Sequence, residues 1–129
     1  MKIKFFFCIA LFGLMFSSFT QPGDWNRIGE RSVKFTSDKD VIRVGGNDEY
    51  SKLKIKVVDA PLHLGDMDVY FENGEHFDVA LRENIRQGGE SRVIDLPGNK
   101  RRIDRIEFKY HTTGKVRGGT ANVIVFGKR

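Results

Sequence analysis

The chain has 129 residues, enough for one domain and too few for two of ordinary size. It carries 22 Lys and Arg against 17 Asp and Glu, a formal net charge of +5, with 12% aromatic residues and one cysteine. A single thiol excludes an intrachain disulfide and a cysteine-cluster metal site, and so mild a basic excess does not by itself mark a nucleic-acid binder.

The N-terminus reads as a targeting segment. Lys2 and Lys4 precede an almost unbroken apolar run over residues 5–16, and Ser17, Ser18 and Thr20 supply small residues before Gln21. This is the layout of a secretory signal peptide spanning residues 1–20, cut between Thr20 and Gln21. A retained anchor needs about 20 apolar residues, more than this run provides. Cys8 leaves with the signal, so the domain expected at 21–129 has no thiolate chemistry. Loss of Lys2 and Lys4 lowers the net charge from +5 to +3. For an exported, mildly basic domain the expected partners are anionic polysaccharide, lipid headgroups or an envelope protein, with no nucleic acid.

From Trp25 onward the pattern is β at nearly every step. Residues 25–35 form a first strand anchored by Ile28, Val33 and Phe35, and residues 41–44 a short second one, ended by Gly45-Gly46-Asn47-Asp48. Lys52, Lys54 and Lys56 then alternate with Leu53, Ile55 and Val57. Period two puts the lysines on one face and the apolar side chains on the other, which is a half-buried strand. Ala60-Pro61 closes it, because proline offers no amide to a ladder.

Residues 66–72 and 75–81 flank Asn73-Gly74, the composition of a two-residue type I′ hairpin turn. Residues 82–86 are expected to make one helical turn, ended by Gln87-Gly88-Gly89. Strands follow at 91–96 and 101–110, joined by Pro97-Gly98-Asn99. Ile103 and Ile106 disagree in parity, and a β-bulge near Asp104-Arg105 reconciles them. Residues 113–119 form a glycine-rich loop. The last strand, 120–126, is apolar at four consecutive positions, as a central strand buried on both faces would be. The sum is an all-β domain: an antiparallel β-sandwich, jelly-roll-like, of about eight short strands.

Ile85, Gly88-Gly89, Ile94-Asp95-Leu96-Pro97-Gly98, Arg102-Ile103, Ile106 and Tyr110, with a final short strand ending near Gly127, resemble a group of small exported bacterial β-sandwich proteins known only as domains of unknown function. The resemblance covers most of residues 29–127. It implies export and an all-β fold, and it carries over no catalytic residue.

The densest basic cluster, Lys100, Arg101, Arg102, Arg105 and Lys109, is the first candidate for function. Arg101, Arg105 and Lys109 share a parity, and Lys52, Lys54 and Lys56 would extend the patch if their strand joined the same sheet. Such a face binds sulfated or phosphorylated polymer by charge-assisted hydrogen bonds. The competing reading is a solvated face whose lysines guard a sheet edge. Asp104 and Glu107 are interleaved and dilute the field.

The carboxylates Asp66, Asp68 and Glu72, and Asp38 and Asp40 in a turn, lack the spacing of a calcium loop. Paired carboxylates also serve glycoside hydrolysis, so a small periplasmic hydrolase using Asp66, Asp68 or a histidine is the rival reading. His63, His76 and His111 are scattered, and a zinc site requires them to converge in space with a carboxylate. Ser32, Ser37, Ser51 and Ser91 lie in no nucleophile elbow. The paired glycines are followed by strands and not by helices, which favours turns over phosphate loops. Trp25 is expected to cover one end of the core. The leading expectation is a non-enzymatic binding or structural module without a cofactor. A subunit that lends a strand edge to an assembly is a third possibility.

Overall fold

The computed structural model describes residues 24–36, 38–111 and 119–129. The signal segment, Ser37 and all but Gly119 of the expected glycine-rich loop lie outside them. Eight strands follow in order: β1 (Trp25–Lys34), β2 (Lys39–Arg43), β3 (Lys52–Val58), β4 (Leu62–Phe71), β5 (His76–Ile85), β6 (Ile94–Asp95), β7 (Ile103–His111) and β8 (Thr120–Lys128). They build two four-stranded antiparallel sheets, ordered β1-β8-β3-β6 and β2-β7-β4-β5. Every connection except the β4–β5 hairpin passes from one sheet to the other. That is the double-sheet jelly-roll arrangement.

The core lies between the two inner faces. β3 alternates half-buried lysines with buried Leu53, Ile55 and Val57, as its period-two pattern requires. β8 runs between β1 and β3, and its Val123, Ile124, Val125 and Phe126 are all buried. Val123 and Val125 join the core, whereas Ile124 and Phe126 face outward. There Phe126 pairs with Arg27 and Lys54, and Ile124 with Glu30 and Lys56. Trp25 lies on this outer surface, with Lys54 Nζ 4.6 Å from its ring centroid. The aliphatic stems of such side chains cover apolar surface while their heads stay wet. Trp25 therefore covers the back of a sheet and not an end of the core.

Bulges set the registers. The expected one at Asp104 is present: Tyr70 pairs with Arg105 but Phe71 with Ile103, leaving Asp104 unpaired. A second, at Gly65, lets Leu62 and Leu64 share the inner face with Met67, Val69 and Phe71, and so extends β4 upstream of residue 66.

The helical turn expected over 82–86 does not form. β5 continues through Ile85, and Arg82 takes a φ of 47° beside the Gly65 irregularity, so its residues keep the strand parity that buries Leu81 and Ile85. The hairpin also departs from expectation. Only Gly74 has a positive φ, +94°, while Gly74 N donates to Phe71 O and Phe71 N to Glu75 O. This is a three-residue loop, a type I turn closed by a left-handed glycine. The strand expected at 91–96 shrinks to Ile94 and Asp95. Gly88, Gly89, Ser91 and Leu96 still bond to β3 or its neighbour Ser51, but upstream of Ile94 only the isolated Lys56–Glu90 bridge has ladder geometry among the described residues.

Candidate functional site

The outer face of the β2-β7-β4-β5 sheet carries most of the chemistry. Its cross-strand rows follow from the registers. Arg43, Arg105, Tyr70 and His76 make one row, and Val41, Glu107, Asp68 and Asp78 the next. Lys39 opposes Lys109 in the row beyond. A groove of about 510 Å³ crosses this face, lined by Lys39, Asp66, Asp68, Asp78, Arg82 and Lys109 among others.

The expected basic patch is divided by the fold. β3 belongs to the opposite sheet from β7, so Lys52, Lys54 and Lys56 do not extend the Arg105–Lys109 face. Lys52 is ion-paired with Asp95, and Lys54 with Glu90 at 3.2 Å, its side chain only 12% exposed. Lys56 lies where β3 bridges to Glu90.

Arg101 precedes β7 and acts as a clamp. Its guanidinium lies 3.8 Å from the Phe71 ring centroid, donates to Pro97 O at 2.9 Å and ion-pairs with Glu75. Hydrogen bonds from Asn73 and then Arg101 hold the Glu75 carboxyl below its ordinary range. Arg105 sits over Tyr70, 3.9 Å from the ring centroid, and bonds Asp104 at 2.8 Å and Glu107 at 3.1 Å. Those two bonds push its own pKa up, Asp104 contributing most.

Lys109 differs. Neither it nor Lys39 has an ion pair among the described residues, and both are exposed. Like charges directly opposite on adjacent strands repel. Two cations held this way make a favourable seat for an anion. Lys39 escaped the sequence reading because residues 37–40 read as a turn. Only the β2–β7 pairing places it opposite Lys109.

The acidic half of the face is built by β4 and β5. Asp66 lies 3.3 Å from Arg82 Nε. Asp68 stands directly opposite Asp78 on one side and Glu107 on the other. His76 Nδ1 is 3.7 Å from Asp68 Oδ1 and 3.4 Å from Asp78 Oδ1, and its ring stacks on Tyr70 with centroids 5.4 Å apart. Asp68 Oδ1 is closed off from solvent and accepts no hydrogen bond from the described residues. One expected scattered histidine thus converges with two carboxylates. The other two meet each other: His63 and His111 stack at 4.4 Å, and His63 Nδ1 lies 2.6 Å from Asn84 Oδ1.

Asp40, Ser91 and Ser51 serve structure. Asp40 pairs with Arg31 at 2.8 Å, tying β2 to β1 across the sandwich edge. Ser91 Oγ accepts from Ile55 N and donates to Arg92 O, both at 2.9 Å. Ser51 Oγ donates to Lys128 O at 3.4 Å.

A family model described as Domain of unknown function (DUF2541) matches residues 5–127. No curated protein matches the chain. Among solved structures, AlgX of Pseudomonas aeruginosa is similar with a TM-score of 0.52 and 11% identity, over 81% of this chain and 26% of the AlgX chain. This chain therefore spans about a quarter of AlgX, and at that identity the likeness is one of fold. The SPBc2 prophage-derived protein YomS is similar over 84% of this chain and 99% of its own, with 15% identity and a TM-score of 0.34.

Proposed function

The chain belongs to the DUF2541 family, and we propose that it is an exported bacterial, non-enzymatic binding module that meets an anionic polymer of the cell envelope. The observation that carries this reading is the exposed Lys39–Lys109 opposition, with Arg105 on the same face. A polyanion that follows the β2–β7 pair would relieve the repulsion between the two lysines and gain charge-assisted hydrogen bonds. The paired cations Arg105, Lys52, Lys54 and Arg101 have carboxylates of their own and contribute less than the two lysines.

Export is supported by the charged, apolar and small-residue segments of residues 1–20. A core of this size also needs no disulfide to hold it, which suits a domain whose only cysteine leaves with the signal. The non-enzymatic reading is supported by the engagement of Asp66, one of the carboxylates a hydrolase would use, with Arg82.

Retention on a heparin-like column at low salt tests the proposal. Reversing Lys39 and Lys109 together to glutamate should bring elution to markedly lower salt, while reversing Lys52 and Lys56 should change it little. Unchanged retention of the first variant refutes this reading.

A further inference from the structure

Asp68, His76 and Asp78 project from adjacent strands toward a common point. Each offers one ligand atom, and the three atoms lie within 4.8 Å of one another. Two of the separations, 3.4 and 3.7 Å from His76 Nδ1, lie slightly above the spacing that a metal imposes. Ligands about 2.0 Å from a tetrahedral zinc ion are about 3.3 Å apart.

Charge points the same way. Of the carboxylates on this face, Asp66 has Arg82 and Glu107 has Arg105. Asp68 and Asp78 face each other directly across the ladder, an unfavourable placement, with no Lys or Arg ion pair among the described residues. A divalent ion held between the two carboxylates would offset both negative charges. The orphaned Asp68 Oδ1 is a second and separate sign. A shielded carboxylate oxygen without a donor is costly, and a bound cation would satisfy it.

From these observations we infer that Asp68, His76 and Asp78 form a binding site for one divalent transition-metal ion, zinc being the best match. One imidazole nitrogen and two carboxylate oxygens suit zinc, whereas calcium and magnesium favour all-oxygen shells with more ligands. Tyr70 is a positioning residue: it stacks on His76 and is itself packed by Arg105, so the imidazole plane is fixed before metal arrives. Asp68 and Asp78 line the groove, which gives an ion a path to the site. The site does not depend on the polyanion reading, because Lys39 and Lys109 take no part in it.

The test uses untagged, chelator-treated full chain. Calorimetric titration with zinc chloride should show one equivalent bound, with magnesium and calcium giving no comparable signal. Asp68→Asn and His76→Gln should each weaken zinc binding by roughly tenfold or more, since even the loss of an outer-shell partner costs that much. His63→Gln should leave it unchanged. In the unsubstituted protein, nitrogen NMR of the imidazoles should show His76 shifting on zinc addition while His63 and His111 stay put. No zinc uptake at millimolar concentration, equal affinity in His76→Gln, or a shift confined to His63 and His111 would overturn the inference.

Discussion

Gly29 on β1 faces Ile42 on β2 so closely that a Cβ at position 29 would lie 2.5 Å from Ile42 Cγ2. The two strands are edges of different sheets, and Arg31–Asp40 ties them together nearby. Ile42 is 2% exposed and cannot swing into solvent. Gly29→Ala should therefore destabilise the fold by about 1–3 kcal/mol, the usual cost of overpacking a filled core. Denaturant unfolding measures it. Pairing the change with Ile42→Ala should cost less than the two losses added, because the cavity receives the new methyl. Strict additivity would show that the contact is not the cause.

Much of the sandwich was legible because half-buried strands sort their residues with period two. Lys52–Val58 and the four-residue apolar run of β8 could be read directly, the latter as a central strand. The bulge at Asp104 was legible from a conflict of parity between Ile103 and Ile106. Turn geometry was not, and its consequences reached the site. A two-residue turn at Asn73-Gly74 would pair Asp68 with Val79. The three-residue loop moves the register by one and sets Asp68 against Asp78, with Tyr70 against His76. That shift is also what lets Met67 and Val69 share the core with Phe77 and Val79, so the apolar pattern of both strands held the information. The division of the basic residues between two sheets was not legible, because strand order is decided by crossovers that leave no local pattern.

The Lys39–Lys109 opposition makes stability and binding move in opposite directions. Lys39→Glu replaces a cross-strand repulsion with an ion pair and should stabilise the fold by about 0.2–1 kcal/mol. The same change should lower retention on a polyanion. If the variant binds less and melts lower, the lysine is serving the fold and the opposition is not a binding device.

β5 is an edge strand, and Arg92 guards it. The Arg92 guanidinium donates to Ala80 O at 3.0 Å and Leu81 O at 2.8 Å, and pairs with Glu83 at 2.9 Å. The left-handed Arg82 interrupts the edge at the same point. Exposed carbonyls on a strand edge are a template for another chain. Arg92→Ala should cost about 1 kcal/mol and promote self-association at high concentration, read by sedimentation velocity. A variant that stays monomeric at every concentration would show that the Arg82 irregularity alone protects the edge.

Glu75 ties the β4–β5 loop to Arg101, and its titration should be visible in the stability of the whole domain. Hydrogen bonds from Asn73 and then Arg101 hold its folded-state pKa below the unfolded value. A depressed acid contributes stability that is complete above the unfolded pKa and disappears as pH falls through the folded one. The contribution is thus intact at neutral pH and is lost on acidification, through and below the ordinary glutamate range. Glu75→Gln cannot lose a charge, so the difference in melting temperature between wild type and variant should be largest near neutrality and shrink as the medium becomes acidic. Arg101 remains packed on Phe71 in both proteins, so the comparison isolates the carboxylate. A difference that stays constant from neutral to acid pH would mean that the contact acts through shape alone.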